Sequence, residues 1–162
     1  MDYLLSPWRY QYLTAPRPSS GCIFCDMAAQ DDDEANLIVH RGTYNFVVLN
    51  RYPYTSGHVM VVPFAHAADL NAVDEAVTTE LMSITRSAAG HLRNIYHPDG
   101  MNLGMNLGES AGAGIAGHIH MHVLPRWSGD SNFMTTIGET RVLPEDLSVT
   151  WHRLNAAFHT GR

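Results

Sequence analysis

Three histidines alternate with apolar residues in the C-terminal half of the chain. The stretch reads Gly117-His118-Ile119-His120-Met121-His122-Val123-Leu124. Because successive side chains of a strand point to opposite faces, this period of two predicts a half-buried strand. Ile119, Met121 and Val123 would face the core, and the three histidines would line the other face. Packing alone does not require three imidazoles in a row, so the pattern predicts a functional site.

The spacing limits what the three histidines can do together. Residues on one strand face lie ~6.5 Å apart, so His118 and His122 are expected ~13 Å apart at Cα. Since a zinc–nitrogen bond is ~2 Å, one metal could take two adjacent histidines but hardly all three. At least one imidazole is then left for substrate or chemistry, and neutral imidazole is a nucleophile and proton carrier near pH 7. A catalytic metal held by two of the histidines is the alternative.

Length and charge exclude several classes of protein. The 162 residues suit one domain, with a net charge of −6. All ten basic residues are arginines, which argues against non-specific nucleic-acid binding and excludes lysine chemistry. No apolar run approaches the ~18 residues that span a bilayer, and the N-terminus lacks signal-peptide features. We therefore expect a cytoplasmic protein with no nucleic-acid or membrane partner.

The only two cysteines form a Cys22-Ile23-Phe24-Cys25 motif. In a reducing cytosol such a pair indicates a metal site or a redox motif rather than a structural disulfide. A thioredoxin-like redox site would need a strand before the motif, whereas proline-rich sequence precedes it here. Metal binding is favoured over redox chemistry and over a simple pair of buried thiols.

The remaining pattern predicts an α+β domain with a mostly antiparallel sheet. Besides the histidine strand, strands are predicted at 37–40, 44–50, 58–63 and 101–107. An apolar stripe predicts a long helix over 72–97 with Asn71 as N-cap, and a second helix starts from Pro144. A single domain over 21–162 would follow an N-terminal arm over 1–20. The aromatic residues of this arm either pack on the domain surface, which is favoured, or cover a substrate base.

A glycine-rich loop leads into the histidine strand. It runs Gly108-Glu109-Ser110-Ala111-Gly112-Ala113-Gly114-Ile115-Ala116-Gly117. Glycines allow positive φ and close backbone approach, and a run of exposed N–H groups can cradle an anion. A phosphate substrate would need such a cradle because the chain has no lysine. The alternative is a flexible turn, but a hairpin needs only two to five residues. We therefore expect phosphate binding in this loop, including Gly112 and Gly114.

Residues 118–124 match the motif His-φ-His-φ-His-φ-φ and thereby resemble the histidine triad family. The similarity extends over about residues 20–135: segments 48–53 and 57–63 resemble the first half of that family's nucleotide-binding site. The family implies an α+β fold with about five mostly antiparallel strands, one long helix and one C-terminal helix. It also implies homodimers or higher homo-oligomers with a joined sheet. Its enzymes cleave or transfer nucleoside monophosphates at the α-phosphate.

The resemblance implies a role for each matching residue. His120 corresponds to the nucleophile that becomes nucleotidylated, and His122 to the histidine that contacts phosphate and assists the leaving group. His118 corresponds to a zinc ligand in metal-carrying members. Its partners in a closed structural site would be Cys22, Cys25 and His66. Asn50 occupies the position that binds the ribose hydroxyls, and His58 is expected to line the site.

The loop before the triad departs from the common hydrolases of the family. Those carry Ala-Gly-Gln-Ser/Thr, whereas residues 111–117 lack the glutamine and the hydroxyl and form a loop one residue longer. This loop, with 125–127 and 132–134, resembles the bacterial diadenosine tetraphosphate phosphorylase branch. That branch implies inorganic phosphate as acceptor, giving ADP and ATP, with Asn106, Gly108 and Ser110 holding it. The alternatives are a hydrolase of dinucleotides or nucleoside phosphoramidates, and a zinc-stabilised nucleotide-binding module without turnover.

Overall fold

In this computed structural model the described residues are 21–130 and 145–160. The arm predicted at 1–20 and the 132–134 segment lie outside the described residues. Within them, no helix combines the length and apolar character needed to cross a bilayer.

Three helices and a five-stranded sheet make up the described part of the chain. The strands are β1 Ile38–Arg41, β2 Asn45–Leu49, β3 Val59–Pro63, β4 Gly100–Gly104 and β5 Met121–Arg126. The helices are α1 Ile23–Ala28, α2 Glu75–Tyr96 and α3 Leu147–Thr160, with 3-10 turns at Leu70–Ala72 and Glu109–Ala111. The sheet order is β1-β2-β3-β5-β4, and each neighbouring pair is antiparallel. The predicted α+β fold with an antiparallel sheet is confirmed.

The two central strands β2 and β3 are buried along their whole length because both faces of the sheet are covered. On one face, side chains such as Val47, Val59 and Val61 pack against α2 and α3. On the opposite face, Phe46, Val62 and their neighbours pack against Phe24 of α1. This second face carries the residues that the sequence singled out.

The prediction of a helix from residue 72 with Asn71 as its N-cap is wrong. The Asp69 carboxylate accepts the Asn71 backbone N–H and stabilises a separate 3-10 turn. Val73 then adopts an extended conformation, with φ −119° and ψ 151°, and α2 begins at Glu75 after the N-cap Asp74. The apolar spacing therefore predicts the helix correctly only from Val77 onward. Before that residue, a short turn followed by a helix gives the same spacing as one continuous helix.

The prediction that His118, His120 and His122 line one face of a single strand is also wrong. β5 begins at Met121, so only His122 lies in the sheet, opposite Met60. The Ile119 N–H instead bonds the carbonyl of Ala67, at 2.8 Å. The His118 ring Nε2 lies 2.9 Å from the Pro63 carbonyl. These contacts hold the first half of the motif out of the strand pairing.

Candidate active site and metal centre

Four potential metal ligands converge at the end of β3. The ligand atoms of Cys22, Cys25, His66 and His118 all lie within 4.8 Å of one another. The Cys22 Sγ is 3.2 Å from the His118 Nδ1, and the Cys25 Sγ is 3.4 Å from the His66 Nδ1 and 3.7 Å from the His118 Nδ1. A tetrahedral zinc ion separates sulfur and nitrogen ligands by about 3.6 Å, as its bond lengths require. The structure therefore brings the four predicted ligands together at suitable distances.

The surroundings of His118 favour the form that binds a metal. Its Nε2–H donates to the Pro63 carbonyl, so its Nδ1 lone pair faces the two sulfurs. The side chain is 1% exposed, and burial lowers the pKa of His118 although the Pro63 contact raises it. A neutral imidazole results.

Both thiols of the cluster are free. Burial and then the neighbouring Cys22 raise the pKa of the Cys25 thiol, and a divalent cation would favour its thiolate instead. Two thiolates and two imidazoles fit zinc, and a four-residue set has no open position for catalysis. Among the described residues no second group of three or more potential ligands was found. His118 is thus the one triad histidine in the cluster, and the alternative of a metal held by two triad histidines has no support.

The middle histidine is held in one tautomer by the first. The His120 Nδ1 lies 2.8 Å from the His118 carbonyl oxygen, and because a carbonyl only accepts, this nitrogen carries the proton. The Nε2 of the neutral ring therefore has a free lone pair. His120 is 5% exposed, and burial lowers its pKa despite the opposing contact with His118. The ring of Phe24 lies 5.1 Å from it. His120 is therefore a buried, neutral imidazole held in one orientation, and its predicted role as nucleophile stays a prediction.

His122 is oriented by a relay through His58. The Tyr54 backbone N–H donates to the His58 Nδ1 at 3.2 Å, so the neutral His58 carries its proton on Nε2. That nitrogen is 2.9 Å from the His122 Nδ1, which must accept. The remaining proton of His122 then lies on Nε2 and points away from His58. The relay makes His122 a hydrogen-bond donor beside His120, whose ring is 4.8 Å away.

Asn50 joins this group at the end of β2. Its Nδ2 is 3.3 Å from the His58 Nδ1, and its Oδ1 accepts the Tyr52 N–H at 2.9 Å. The structure therefore places Asn50, His58 and His122 in one row. Their predicted roles toward a ribose and a phosphate stay predictions.

The glycine loop connects β4 to the triad segment. Gly108, at φ +81°, and Gly112, at φ +88°, flank the turn Glu109–Ala111, where Ser110 is exposed. The N–H groups of Gly112 and Ala113 are used inside this turn, bonding the carbonyls of Glu109 and Gly108. A phosphate-binding site would therefore use other N–H groups of the loop, such as that of Gly114. Gly112 would contribute only by shaping the backbone turn.

Asn106 follows the end of β4. Gly104, the last residue of β4, pairs with His122, so Asn106 lies two residues beyond that pair. Asn106 is half-buried there. The predicted role of Asn106 in holding the acceptor stays a prediction.

Two residues in contact with the triad were missed from the sequence. Phe24 is 2% exposed and lies between the two cysteines, and its position inside the motif was a usable signal. Tyr54 lies in a loop, with its ring 4.8 Å from that of His58 and stacked 6.3 Å from that of the triad residue His122. No periodic pattern in the sequence indicates that Tyr54 belongs to the site.

Comparisons with known proteins agree with this geometry. A family model described as HIT domain matches residues 32–129. The chain is 46% identical over 158 residues to a Mycobacterium tuberculosis protein named AP-4-A phosphorylase, covering 93% of this chain and 80% of that protein. It is 31% identical over 113 residues to an uncharacterized HIT-like protein of Saccharolobus solfataricus, covering 70% and 79% of the two chains.

A solved structure described as a zinc-bound histidine triad family protein from Mycobacterium smegmatis matches with a TM-score of 0.71. Its sequence is 27% identical, and the match covers 86% of this chain and 94% of that one. Residues 32–129, which the family model matches, contain all five strands of the sheet and the three triad histidines. The chain therefore belongs to the HIT domain family.

Proposed function

We propose that this protein cleaves diadenosine polyphosphates at the α-phosphate and transfers the nucleotidyl group through His120 to inorganic phosphate. The observation that carries the proposal is the fixed tautomer of His120, 2.8 Å from the His118 carbonyl. It occurs in a chain 46% identical to a protein named AP-4-A phosphorylase. The preferred substrate is accordingly diadenosine tetraphosphate, with ATP and ADP as products.

In the first step the His120 Nε2 lone pair attacks the α-phosphorus, and the bond from that phosphorus to the bridging oxygen breaks. The leaving nucleotide takes the electron pair as ATP. The His120 ring becomes cationic, and its Nδ1–H stays on the His118 carbonyl, which stabilises the charge. The Nε2–H of His122 donates to a phosphate oxygen as negative charge moves to the leaving group. A terminal phosphate is a good leaving group, so this hydrogen bond suffices without full proton transfer.

In the second step an oxygen of inorganic phosphate attacks the same phosphorus, the phosphorus–nitrogen bond breaks, and its electron pair returns to His120. An anionic acceptor needs no base, whereas water would have to lose a proton. The donor tautomer of His122 agrees with an anionic acceptor. We assign the acceptor to Asn106, Gly108, Ser110 and the backbone around Gly114, with Gly112 shaping the turn of the loop. Asn50 would hold the ribose hydroxyls beside His58.

We further propose that Cys22, Cys25, His66 and His118 hold a structural zinc ion, whose role is to fix His118 and the end of β3. The cytoplasm is the proposed location, because a reducing compartment keeps a Cys-x-x-Cys pair available as thiolate metal ligands. A homodimer would form through β4, which pairs with β5 on one side. Among the described residues its other edge meets no strand, and Leu103 on it is 52% exposed.

The formation of the intermediate should depend little on pH near neutrality. Burial and then the neighbouring His120 lower the pKa of His122 to about 4. Protonation of His122 is disfavoured, and burial also lowers the pKa of His120, so both rings stay neutral as the pH falls and the rate should stay flat from about pH 8 to about pH 5.5. Single-turnover kinetics without inorganic phosphate measure this step alone. A rate that halves near pH 6.5, the ordinary value for histidine, would contradict the proposed relay.

Product analysis with and without inorganic phosphate tests the proposed reaction. With diadenosine tetraphosphate and phosphate we expect equal amounts of ADP and ATP, formed at least tenfold faster than any product without phosphate. Chromatography of the quenched mixture separates the nucleotides. Release of AMP and ATP at a rate independent of phosphate would establish a hydrolase instead. Binding of nucleotide with no product in either mixture would establish a binding module.

A further inference from the structure

The metal cluster and the nucleophile are connected at two points. His118 offers its ring to the cluster, while its carbonyl accepts the His120 Nδ1–H at 2.8 Å. Phe24 lies between Cys22 and Cys25 in sequence and packs its ring 5.1 Å from that of His120. The residues that hold the metal therefore also hold the ring of the nucleophile.

The opposite side of the cluster can be reached from solvent. Cys22 and Cys25 are only partly buried, and His66 is exposed. Their two sulfurs lie within 4.8 Å of each other, against about 2.0 Å in a disulfide. They are the only cysteines of the chain, so once one is oxidised the other is its single partner within the protein.

We propose that Cys22 and Cys25 form a peroxide-sensitive modification site, whose oxidation releases the metal and disables His120. The effect on turnover rests on the proposed function. The effect on the metal and on the His120 ring does not depend on it.

Hydrogen peroxide supplies the oxidising equivalents. One thiolate attacks a peroxide oxygen, the oxygen–oxygen bond breaks, and a sulfenic acid and hydroxide form. The second thiolate attacks the sulfenic sulfur, forming the sulfur–sulfur bond and expelling a second hydroxide. Overall two thiolates lose two electrons, and one peroxide with two protons becomes two molecules of water. A thiol reductant reverses the reaction by disulfide exchange.

The disulfide would leave His66 and His118 as the only ligands, too few to retain a zinc ion. His118 then loses the partner of its Nδ1, and α1 must shift as its sulfurs approach. Both the carbonyl that fixes the His120 tautomer and the Phe24 ring that contacts it are displaced. The nucleophile becomes misoriented although its own side chain is unmodified.

The experiment titrates the zinc-loaded full chain with hydrogen peroxide. A chromogenic chelator measures released zinc, a thiol reagent counts free cysteines, and the nitrogen-15 NMR signal of the His120 Nδ1–H reports its hydrogen bond. We expect one zinc released and two thiols lost per chain, with loss of the His120 signal and at least a tenfold lower transfer rate. Reductant plus zinc should restore all four readouts. Removing zinc with a strong chelator should reproduce the loss of the His120 signal without oxidation.

The double variant Cys22→His/Cys25→His keeps four potential ligands and has no thiol to oxidise. Its rate after peroxide is divided by its own rate before treatment, and this ratio should stay above one half. Equal inactivation of the double variant and the wild type would place the peroxide damage elsewhere and overturn the proposal. Loss of both thiols and of zinc with an unchanged His120 signal would also overturn it. If no substrate turns over, the metal, thiol and NMR readouts still decide the proposal, while the proposed function alone fails.

Discussion

Replacing His120 with asparagine should lower kcat/KM for diadenosine tetraphosphate by at least ~10³-fold, or about 4 kcal/mol of transition-state stabilisation. The side-chain amide can still donate to the His118 carbonyl, as the His120 Nδ1 does at 2.8 Å. It offers no nitrogen lone pair to phosphorus, so the covalent step is lost. Zinc content and thermal stability should stay close to those of the wild type. Steady-state kinetics, metal analysis and thermal unfolding measure the three effects.

His97→Asn is the matched control for this substitution. His97 is exposed and ends α2 in a left-handed conformation, with φ +46°, which asparagine tolerates well. Its kcat/KM should change by less than about twofold, since surface substitutions have small effects. If His120→Asn keeps more than a tenth of the activity of this control, His120 is not the nucleophile.

Replacing Cys22 with serine should remove the zinc and destabilise the protein strongly. The Cys22 Sγ is the nearer of the two sulfurs to the His118 Nδ1, at 3.2 Å, and a hydroxyl is a far weaker zinc ligand than a thiolate. A metal ion that binds only the folded state stabilises that state by about 4 kcal/mol when the free metal concentration is 1,000 times the dissociation constant. For a domain of this size we expect the melting temperature to fall by about 10 °C. Metal analysis and calorimetry of the purified variant check both results.

Asp26→Asn provides the control, because Asp26 is an exposed residue of the same short helix and no ligand. It should retain one zinc per chain and nearly the wild-type melting temperature. A Cys22→Ser protein with full zinc content and unchanged melting would show that the cluster is not the stabilising metal site.

The sheet could be predicted well because its signals are local. Residues 46–49 and 59–62 are continuous apolar runs, and the structure buries β2 and β3 on both faces. The starts of α2 and β5 were predicted wrongly because hydrogen bonds from distant or side-chain groups, which a periodic pattern does not reveal, compete with the regular backbone bonds. The Asp69 side chain takes the Asn71 N–H and delays the start of α2. The Pro63 carbonyl accepts a hydrogen bond from the His118 ring, and β5 begins only at Met121.

The candidate site was predictable where residue type and motif carried the chemistry. The four predicted metal ligands, Cys22, Cys25, His66 and His118, have their ligand atoms within 4.8 Å of one another, and the rings of His120 and His122 lie side by side. The relay was not predictable in detail, because His58 and His122 are separated by 64 positions and meet only through the pairing of β3 with β5. The contact of Phe24 with His120 likewise depends on how α1 packs on the sheet.

Trapping the covalent intermediate decides whether His120 carries the nucleotidyl group. Excess zinc-loaded protein is mixed with radiolabelled diadenosine tetraphosphate without inorganic phosphate, quenched in alkali and digested, and the label is mapped by mass spectrometry. We predict an adenylyl group on His120, and its release as ADP, at least as fast as turnover, when phosphate is added before the quench. An adduct on another residue, no adduct at all, or release as AMP at a rate unaffected by phosphate would contradict transfer through His120 to phosphate.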